Sequence, residues 1–297
     1  MSEDLQFLLA LVLSGASIGL MYSLIALGFV LVYKATDAIN FAQGEFVMLA
    51  GMIVVTVLGA EAPLIAAVVV VLLAMIGFGF GLERVVLRPL LGRPVVAVIM
   101  ATIGVAAVLR GWGPLVLGIE TRALPLPIGD DPITIGPASL PPIQVLGAVV
   151  AVVFFIVFNW FFKKSRMGVA MRAVADNQQV AQAMGINVER YFAIAWAMAG
   201  VVSALGGVVW GAMLGVDVQL ALVGLKVFPV VILGGLDSIG GALVGGLIVG
   251  IVESLAAGYL DPYVGGGTKD FAPYVLMILV LMIRPYGIFG RRQIERV

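Results

Sequence analysis

GLMYSLIALGFVLVYKATDAINFAQGEFVMLAG, residues 19–51, joins two apolar runs through a short polar segment. Asn40, Gln43 and Glu45 stand where the second apolar run begins. Polar groups inside a membrane are tolerated where they are buried in protein or line a cavity. We therefore expect these three residues to cap a broken or re-entrant helix. The simpler alternative makes Asn40 an ordinary N-cap and Glu45 a first-turn carboxylate that favours the helix dipole.

The composition excludes a soluble domain. Of 297 residues, 62% are hydrophobic and 11% are charged, whereas soluble domains are roughly 25% charged. Lys+Arg and Asp+Glu are 17 each, so the net charge gives no argument for nucleic acid. The absence of Cys and His excludes disulfides, thiolate metal sites and His-based catalysis. We expect an all-α polytopic membrane protein.

Apolar runs long enough to approach a membrane span recur along the whole chain. They are Phe7–Tyr33, Phe46–Leu58, Pro63–Leu82, Val95–Leu117, Ile143–Phe162, Tyr191–Val216 and Phe271–Ile283. The stretch 217–253 is interrupted by LGGLDSIGG at 233–241, which predicts two shorter segments. The sequence thus predicts about eight or nine membrane segments, some of them short or re-entrant and rich in Gly. They form a single transmembrane domain, 1–297, whose first segment lacks the basic flank of a signal peptide.

The distribution of Lys and Arg predicts the orientation. Cytoplasmic segments are expected to carry Lys163, Lys164, Arg166, Arg172 and Arg190; Arg84, Arg88 and Arg93; and the tail residues Arg291, Arg292 and Arg296. The Pro-rich segment 118–142, acidic at Asp130 and Asp131, then faces outward. This scheme places the N-terminus outside.

Glycines at 234–250 (GGLDSIGGALVGGLIVG) form two pairs with helical spacing. Gly241 and Gly245 are four residues apart, as are Gly246 and Gly250, so each pair shares one helix face. Such small-xxx-small spacing lets helix backbones approach closely in lipid. Ordinary crossings within one subunit and a subunit interface are both compatible with the pattern.

The loop 163–190 contains a predicted short helix at about 177–184. Asp176 is placed to cap it, with Gln179 returning the bond of a capping box. Gly185 suits the left-handed residue that ends a helix. Val180, Ala181, Ala183 and Met184 would share one side, which is typical of a docking helix; the alternative, an interfacial amphipathic helix, would bury too little.

Isolated charges also occur within or beside the apolar runs. They are Glu45, Arg110, Asp217, Lys226, Glu253 and Arg284. Charges in a bilayer are costly and usually face a cavity or a partner, although several of these could extend to the membrane surface instead.

Four blocks of the chain resemble one known family. GLMYSLIALGFVLVYKATDAINFAQGEFVMLAG at 19–51 is similar to the N-terminal signature of permease subunits of ABC importers for branched-chain amino acids. RMGVAMRAVADNQQVAQAMGI at 166–186 resembles that family's loop, a degenerate importer motif containing Ala181 and Gly185. VILGGLDSIGGALVGGLIVGIVES at 231–254 and RPYGIFG at 284–290 resemble its C-terminal blocks. The chain is most similar to the smaller of the two paired permeases, but it has Gln43 where many relatives have His, so no pH-sensitive role is carried over.

The resemblance implies an inner-membrane importer of bacterial or archaeal type. Two homologous permeases would form the path, two cytosolic ATPases would drive it, and an extracytoplasmic binding protein would deliver Leu, Ile or Val. The residues expected to couple to the ATPases are Arg172, Asp176, Gln179, Ala181, Met184 and Gly185. Asn40, Gln43 and Glu45 are candidates for the translocation path.

The sequence offers no nucleotide site or catalytic cluster of its own. VGGGTKD at 264–270 lacks the G-x-x-x-x-G-K-[ST] order of a phosphate loop, so we expect a turn there. We expect neither a cofactor nor a metal, and we expect a transport subunit rather than an enzyme, with ATP used by partners. An ion-coupled secondary transporter remains an alternative, since broken Gly-rich helices suit it equally well. Urea or short amides are alternative substrates within the wider family.

Overall fold

A computed structural model describes residues 2–129 and 131–290, which fold mainly into α-helices. The helices are α1 Glu3–Thr36, α2 Gln43–Gly59, α3 Leu64–Leu82, α4 Val95–Leu117, α5 Pro142–Lys164, α6 Arg166–Asp176, α7 Gln178–Ala183, α8 Val188–Leu214, α9 Leu222–Gly234, α10 Ile239–Tyr259, α11 Asp261–Val264 and α12 Thr268–Ile283. A π-helical turn, Glu83–Leu87, and 3-10 turns at Arg88–Leu90 and Val218–Ala221 connect some of them. Asp130, Arg291, Arg292 and Arg296, used in the orientation argument, lie outside the described residues.

The expected fold class is confirmed. Six helices of the described chain are long and apolar enough to cross a membrane: α1, α3 with its continuation to Leu90, α4, α5, α8 and α10. The segments Gln43–Gly59 and Val218–Gly234 are shorter apolar helices. The number of membrane crossings stays a prediction. One small β-hairpin, β1 Ile133–Ile135 with β2 Ala138–Leu140, lies within the segment expected to face outward.

The predicted break within 217–253 is present. α9 ends at Gly234, and Gly235 adopts a left-handed backbone with φ of +102°. Ser238 then caps α10, since its hydroxyl accepts a hydrogen bond from the Gly241 N–H at 2.9 Å. A left-handed residue followed by a Ser cap is a local signal that ends one helix and starts another.

The chain divides into two compact units, each assembled from separate stretches. Unit 1 contains Met1–Ala26, Pro127–Ala151 and Leu225–Val297. Unit 2 contains Leu27–Leu126 and Val152–Gly224.

The core of unit 2 is built around α8, which packs against α2 and α3. Glycines permit this approach: a Cβ added at Gly200 would lie 2.2 Å from the Met75 carbonyl oxygen, and one at Gly79 would lie 2.4 Å from the Trp196 carbonyl oxygen. Phe46 and Trp196 are fully buried, with ring centroids 6.2 Å apart. The backbone of α8 therefore packs very close to the backbones of its two neighbouring helices.

The two ends of α8 mark the two ends of unit 2. Near its start, Glu189 forms an ion pair with Arg88 at 3.3 Å, which places the turn after α3 beside the loop 163–190. Beyond its other end, Val216 and Arg122 exchange backbone hydrogen bonds of 2.9 and 3.1 Å. Two of the segments expected to be cytoplasmic, the turn after α3 and the loop 163–190, thus lie together at one end of unit 2, and the start of segment 118–142 lies at the other.

Unit 1 is organised by the antiparallel pair α1 and α10. The Phe7 and Tyr259 rings meet edge to face at 5.5 Å near one end. Near the other end of α10, the chain after α12 returns to α9, where the Ile288 N–H donates to the Leu233 carbonyl at 2.8 Å. The turn before α10 and the chain after α12 therefore share one end of unit 1.

Candidate functional site

Helix α6 is fixed to the end of α5. The Ser165 hydroxyl caps α6 by accepting from the Gly168 N–H at 2.9 Å. The Arg172 guanidinium donates to the Phe162 carbonyl oxygen and lies 5.6 Å from the centroid of the same residue's ring. Arg172, one of the predicted coupling residues, thus anchors the loop to α5 through its own contacts.

The predicted cap of the short helix was wrong by one residue. Asp176 is the last residue of α6, and the N-cap of α7 is Asn177, whose side chain accepts from the Val180 N–H at 2.9 Å. Asn177 has the extended dihedrals φ −158° and ψ 107°, and it serves as C-cap of α6 and N-cap of α7. Because Asp176 remains helical, it cannot start the proposed capping box with Gln179.

The predicted end of the short helix is confirmed. Gly185 has a φ of +83°. Its N–H donates to the Gln182 carbonyl at 3.0 Å, and the Ile186 N–H donates to the Ala181 carbonyl at 3.0 Å. This pair of bonds is the Schellman motif, which satisfies the last carbonyls of a helix. Both ends of α7 are therefore fixed by local hydrogen bonds.

The expected apolar side of α7 is divided between an inner and an outer face. Ala181 is buried, whereas Val180 and Met184 are 57% and 78% exposed. Asp176 and Gln179 are also exposed. Val180 and Met184 are four residues apart and so share one helix face. Val180 on α7 and Met184 just after it therefore form an exposed apolar surface that another protein can contact, whereas Ala181 is buried.

Asn40 and Gln43 are linked to Ser203 by a continuous chain of hydrogen bonds inside unit 2. The Asn40 amide donates to Gln43 Oε1 at 3.1 Å, and the Gln43 amide donates to Ser203 Oγ at 2.9 Å. Ser203 in turn donates to the Ala199 carbonyl at 2.8 Å. Asn40, Gln43 and Ser203 are fully buried. Leaving one buried group of such a chain without a partner would cost about 1–3 kcal/mol.

Asn40 is not the N-cap of α2, so this part of the simpler alternative was wrong. The N-cap position is Ala42, and Asn40 Oδ1 accepts from the Ala42 N–H at 3.0 Å in a turn before the helix. Asn40 thus lies two positions before the cap, with Phe41 between them, which the sequence pattern alone does not reveal. Glu45 does lie in the first turn of α2, as that alternative expected.

Helix α2 begins inside unit 2 rather than at its end. Gln43, its first residue, bonds Ser203 near the middle of α8. A Cβ added at Gly28 would lie 2.1 Å from the Gln43 amide nitrogen, so Gly28 makes room for this side chain. A Cβ added at Gly224 would lie 2.5 Å from the Gly44 Cα. The backbone at the start of α2 therefore lies in close contact with the backbone at the start of α9.

Glu45 is buried and paired with an arginine that reaches the surface of unit 2. The Glu45 side chain is 3% exposed, and its carboxylate accepts from the guanidinium of Arg110, whose side chain is 50% exposed. Arg110 lies on α4 among exposed apolar residues such as Val108 and Trp112. The pair therefore joins the buried start of α2 to an otherwise apolar outer face. Lining of a translocation path by Asn40, Gln43 or Glu45 stays a prediction.

The two glycine pairs of α10 lie at two different helix crossings of unit 1. A Cβ added at Gly241 would lie 2.1 Å from the Gly234 carbonyl oxygen, and one at Gly245 would lie 2.4 Å from the Val230 carbonyl oxygen, both on α9. Gly246 and Gly250 instead face α1. Their added Cβ atoms would lie 2.5 Å from the Gly19 oxygen and 2.3 Å from the Gly15 oxygen, respectively. Gly15 and Gly19, also four residues apart, are the α1 partners that sequence reasoning missed.

Unit 1 contains a charged cluster that was not recognised as a unit from the sequence. The Tyr22 hydroxyl donates to the Glu253 carboxylate at 3.2 Å. Lys226 lies 3.7 Å from Glu253 and 2.7 Å from Asp270. The isolated positions of Lys226 and Glu253 were the available signal, but their common location required the fold. Within residues 2–129 and 131–290, no group of three His, Cys, Asp or Glu side chains could hold a metal ion.

The comparisons with known proteins identify the family of the chain. A family model described as "Branched-chain amino acid transport system / permease component" matches residues 11–282. The chain belongs to this family. It is therefore a multi-pass inner-membrane protein and a transport subunit rather than an enzyme.

Two relatives of this permease family align along their full length. The high-affinity branched-chain amino acid transport system permease protein LivH of Escherichia coli is 31% identical over an alignment of 317 positions, which covers 100% of both chains. The corresponding protein BraD of Pseudomonas aeruginosa is 32% identical over 313 positions, again with 100% of both chains covered. A solved structure titled "PsaBC from Streptococcus pneumoniae in complex with Fab" covers 94% of this chain and 92% of that chain at 14% identity, with a TM-score of 0.47. That score is too low to establish a shared fold.

Proposed function

We propose that this permease is the transmembrane subunit of an ATP-driven importer for leucine, isoleucine and valine. The observation that carries the proposal is the match of the family model to residues 11–282, together with two relatives named for branched-chain amino acid transport. The partners proposed are a second homologous permease, two cytosolic ATPases and an extracytoplasmic binding protein. ATP would be bound and hydrolysed by the ATPases, so the permease itself needs no cofactor.

Helix α7 of the loop 163–190 is proposed as the contact with an ATPase. α7 is capped at both ends, at Asn177 and Gly185, and these hydrogen bonds stabilise its six residues as a helix. Its exposed apolar pair, Val180 and Met184, would fill a cleft on the ATPase. Arg172 would transmit the movement to α5 through Phe162. A secondary transporter that works alone has no use for such an exposed helix, and this disfavours the ion-coupled alternative.

The Glu45–Arg110 pair is proposed as the polar contact of the translocation path. A guanidinium that is half exposed on an apolar helix face is costly against lipid. It is tolerated where it faces a water-filled path or a second permease. Asn40 and Gln43, whose amides bond each other and Ser203, would hold the start of α2 in place behind this pair.

The test is reconstituted transport together with recovery of the partners. The permease is purified from its native membrane under mild conditions, and the complex is placed in vesicles with the binding protein and ATP. We expect ATPase subunits to accompany the permease, and labelled leucine uptake to be competed by isoleucine and valine but not by urea. Leucine uptake that persists without any ATPase, or uptake of urea that leucine does not inhibit, would overturn the proposal.

A surface variant tests the docking face separately. Met184→Glu puts a charge on the exposed apolar face of α7, and we expect ATPase subunits to be lost from the purified complex. Met167→Glu on α6, also at an exposed methionine, is the matched control and should retain them. Equal loss in both variants would show that contact is not confined to α7.

A further inference from the structure

The end of helix α1 is hydrogen-bonded to the loop 163–190. α1 ends at Thr36, and Asp37 after it adopts a left-handed backbone with a φ of +54°. The last carbonyls of a helix have no N–H partner within the helix, so other groups must supply their hydrogen bonds. For the Ala35 carbonyl, that donor is the side-chain amide of Gln178 on α7, at 3.3 Å. The helix proposed to dock the ATPase therefore contacts the end of α1 directly.

Helices α6 and α7 meet the end of α1 in different ways. Met171 and Val174 of α6 are buried, and the gap that they share with Ala35 has a volume of about 10 Å³, at the lower limit for one water molecule. On the α7 side, a cavity of about 240 Å³ is lined by Gln178 and Asp37, among others. α6 therefore packs closely on α1, whereas the Gln178 side chain reaches α1 beside open space.

This arrangement lets α7 shift while α6 stays in place. Gln178 is the first residue of α7, directly after the N-cap Asn177, so it moves with the helix. The cavity beside Gln178 leaves space for such a shift, which the close packing of α6 does not. A displacement of α7 would therefore act on the Ala35 carbonyl through the Gln178 side chain.

The chain after Ala35 leads directly to the start of α2. Asn40, five positions further on, is fully buried, and its side chain bonds Gln43, the first residue of α2. Between these two, the Phe41 N–H donates to the Thr102 hydroxyl at 3.2 Å. Buried, closely packed segments have low compressibility and transmit strain. A displacement at the end of α1 therefore reaches the start of α2 through this turn.

We propose that Gln178 is a positioning residue that couples α7 to the junction between α1 and α2. This inference rests on the proposed function, in which α7 docks an ATPase. When closure of the ATPases shifts α7, Gln178 carries the shift to the Ala35 carbonyl, and the turn carries it to the start of α2. There, Glu45 and Arg110 are proposed to contact the translocation path. Arg172 joins the loop to α5, so Gln178 supplies a second route, to a different pair of helices.

The test is the number of leucine molecules imported per ATP hydrolysed by the reconstituted complex with its binding protein. Gln178→Met keeps an unbranched side chain of similar length but has no donor for the Ala35 carbonyl. We expect this variant to retain its ATPase subunits and to hydrolyse ATP, but to import roughly fivefold less leucine per ATP. Gln178→Lys, which restores a donor, should recover most of the wild-type ratio.

Gln144→Met is the matched control. Gln144 also donates to a carbonyl of α1, that of Ser14 at 2.8 Å, but it lies near the start of α5, at the opposite end of that helix from the loop 163–190. Because Gln144 is buried, loss of its hydrogen bond should lower the Tm of the complex. The leucine imported per ATP should stay at the wild-type value, which separates coupling from general stability.

The outcomes distinguish this inference from the proposed function. A wild-type ratio of leucine to ATP in Gln178→Met would overturn the inference, as would failure of Gln178→Lys to restore a lowered ratio. An equal fall in Gln144→Met would assign the effect to general stability, and loss of ATPase subunits from Gln178→Met would assign it to docking; either result also overturns the inference. Absence of ATP-driven leucine uptake by the wild-type complex would instead count against the proposed function, and the ratio would then be measured with the substrate that the complex does import.

Discussion

Helices α10 and α7 use glycine for two different physical purposes. α10 has 21 residues, and a Cβ added at Gly250 would lie 2.3 Å from a backbone oxygen of α1. α7 has six residues, and the glycine that ends it, Gly185, has nothing within 4 Å of an added Cβ but a φ of +83°. In α10 the missing side chain allows close packing; after α7 it allows a backbone conformation. Changes in α10 should therefore affect folding, and changes at α7 should affect the contact with a partner.

The largest effect is expected at Gly250. Gly250→Ala forces a Cβ into the backbone of α1 at Gly15 and Gly19, and overpacking of this kind costs about 1–3 kcal/mol or more. We expect a lower Tm of the purified protein in detergent and less folded protein in the membrane. Gly240→Ala on the same helix has open space at its Cβ and is the matched control. It should leave the Tm unchanged or raise it, because Ala favours a helix over Gly by about 1 kcal/mol.

Equal loss of stability in the Gly250 and Gly240 variants would contradict the packing argument. It would show that these glycines are needed for backbone flexibility of α10 as a whole.

The second largest effect is expected at Gly185, where a substitution should leave the fold intact. Gly185→Val resists positive φ and redirects the chain between α7 and α8. We expect an inserted permease that loses its ATPase subunits or hydrolyses ATP without leucine uptake. Gly136→Val is the matched control, because Gly136 also has positive φ and open space but lies in the turn between β1 and β2. ATPase co-purification and leucine uptake are measured together.

If the Gly185→Val variant keeps both ATPase co-purification and leucine uptake at the wild-type level, the loop is not the coupling element. Gly185→Asn should lie between the wild type and Gly185→Val, since Asn tolerates the left-handed conformation better than other residues do.

A smaller effect is expected at the cap of α7. Asn177→Ala removes the acceptor for the Val180 N–H and should cost about 1 kcal/mol of local stability. We expect faster amide exchange within α7 and a modest loss of coupled transport. Asp176→Ala leaves this cap in place, so α7 should exchange at the wild-type rate. The opposite ranking of the two variants would restore Asp176 as the cap.

The smallest perturbation tests only which side of the membrane two segments face. The natural chain has no Cys, so Gln182→Cys on α7 and Ser139→Cys on β2 each introduce one exposed thiol. An impermeant thiol reagent added to intact cells should label the Ser139 variant but not the Gln182 variant. Labelling at Gln182 alone would reverse the proposed orientation, and α7 could then not meet a cytosolic ATPase.

The helices and several of their ends could be predicted from the sequence. The run at 95–117 is a helix with these same bounds, the interruption at 233–241 separates α9 from α10, and Gly185 ends α7 in the left-handed conformation. Each of these depends on residues within a few positions of one another. The spacing of Gly241, Gly245, Gly246 and Gly250 likewise indicated which residues share a helix face.

The sites depended on contacts between distant parts of the chain. Gln43 and Ser203 are 160 residues apart, and Glu45 and Arg110 are 65 apart. Local patterns gave each residue a plausible role but not a partner. Even the cap of α7 needed the structure, because adjacent Asp176 and Asn177 are both good caps and only the course of α6 decides between them.

The sequence by itself therefore determined that this chain is an all-α polytopic membrane protein, where most of its helices lie, and which family it resembles. These properties follow from apolar run length, helical spacing and the dihedral preferences of Gly and Pro, which act locally. Only the tertiary structure decided that the start of α2 is buried beside Ser203 and that α10 packs on Gly15 and Gly19. Such contacts form because folding brings distant segments within hydrogen-bond or van der Waals distance, and the chain path that does so is not encoded in any single local pattern.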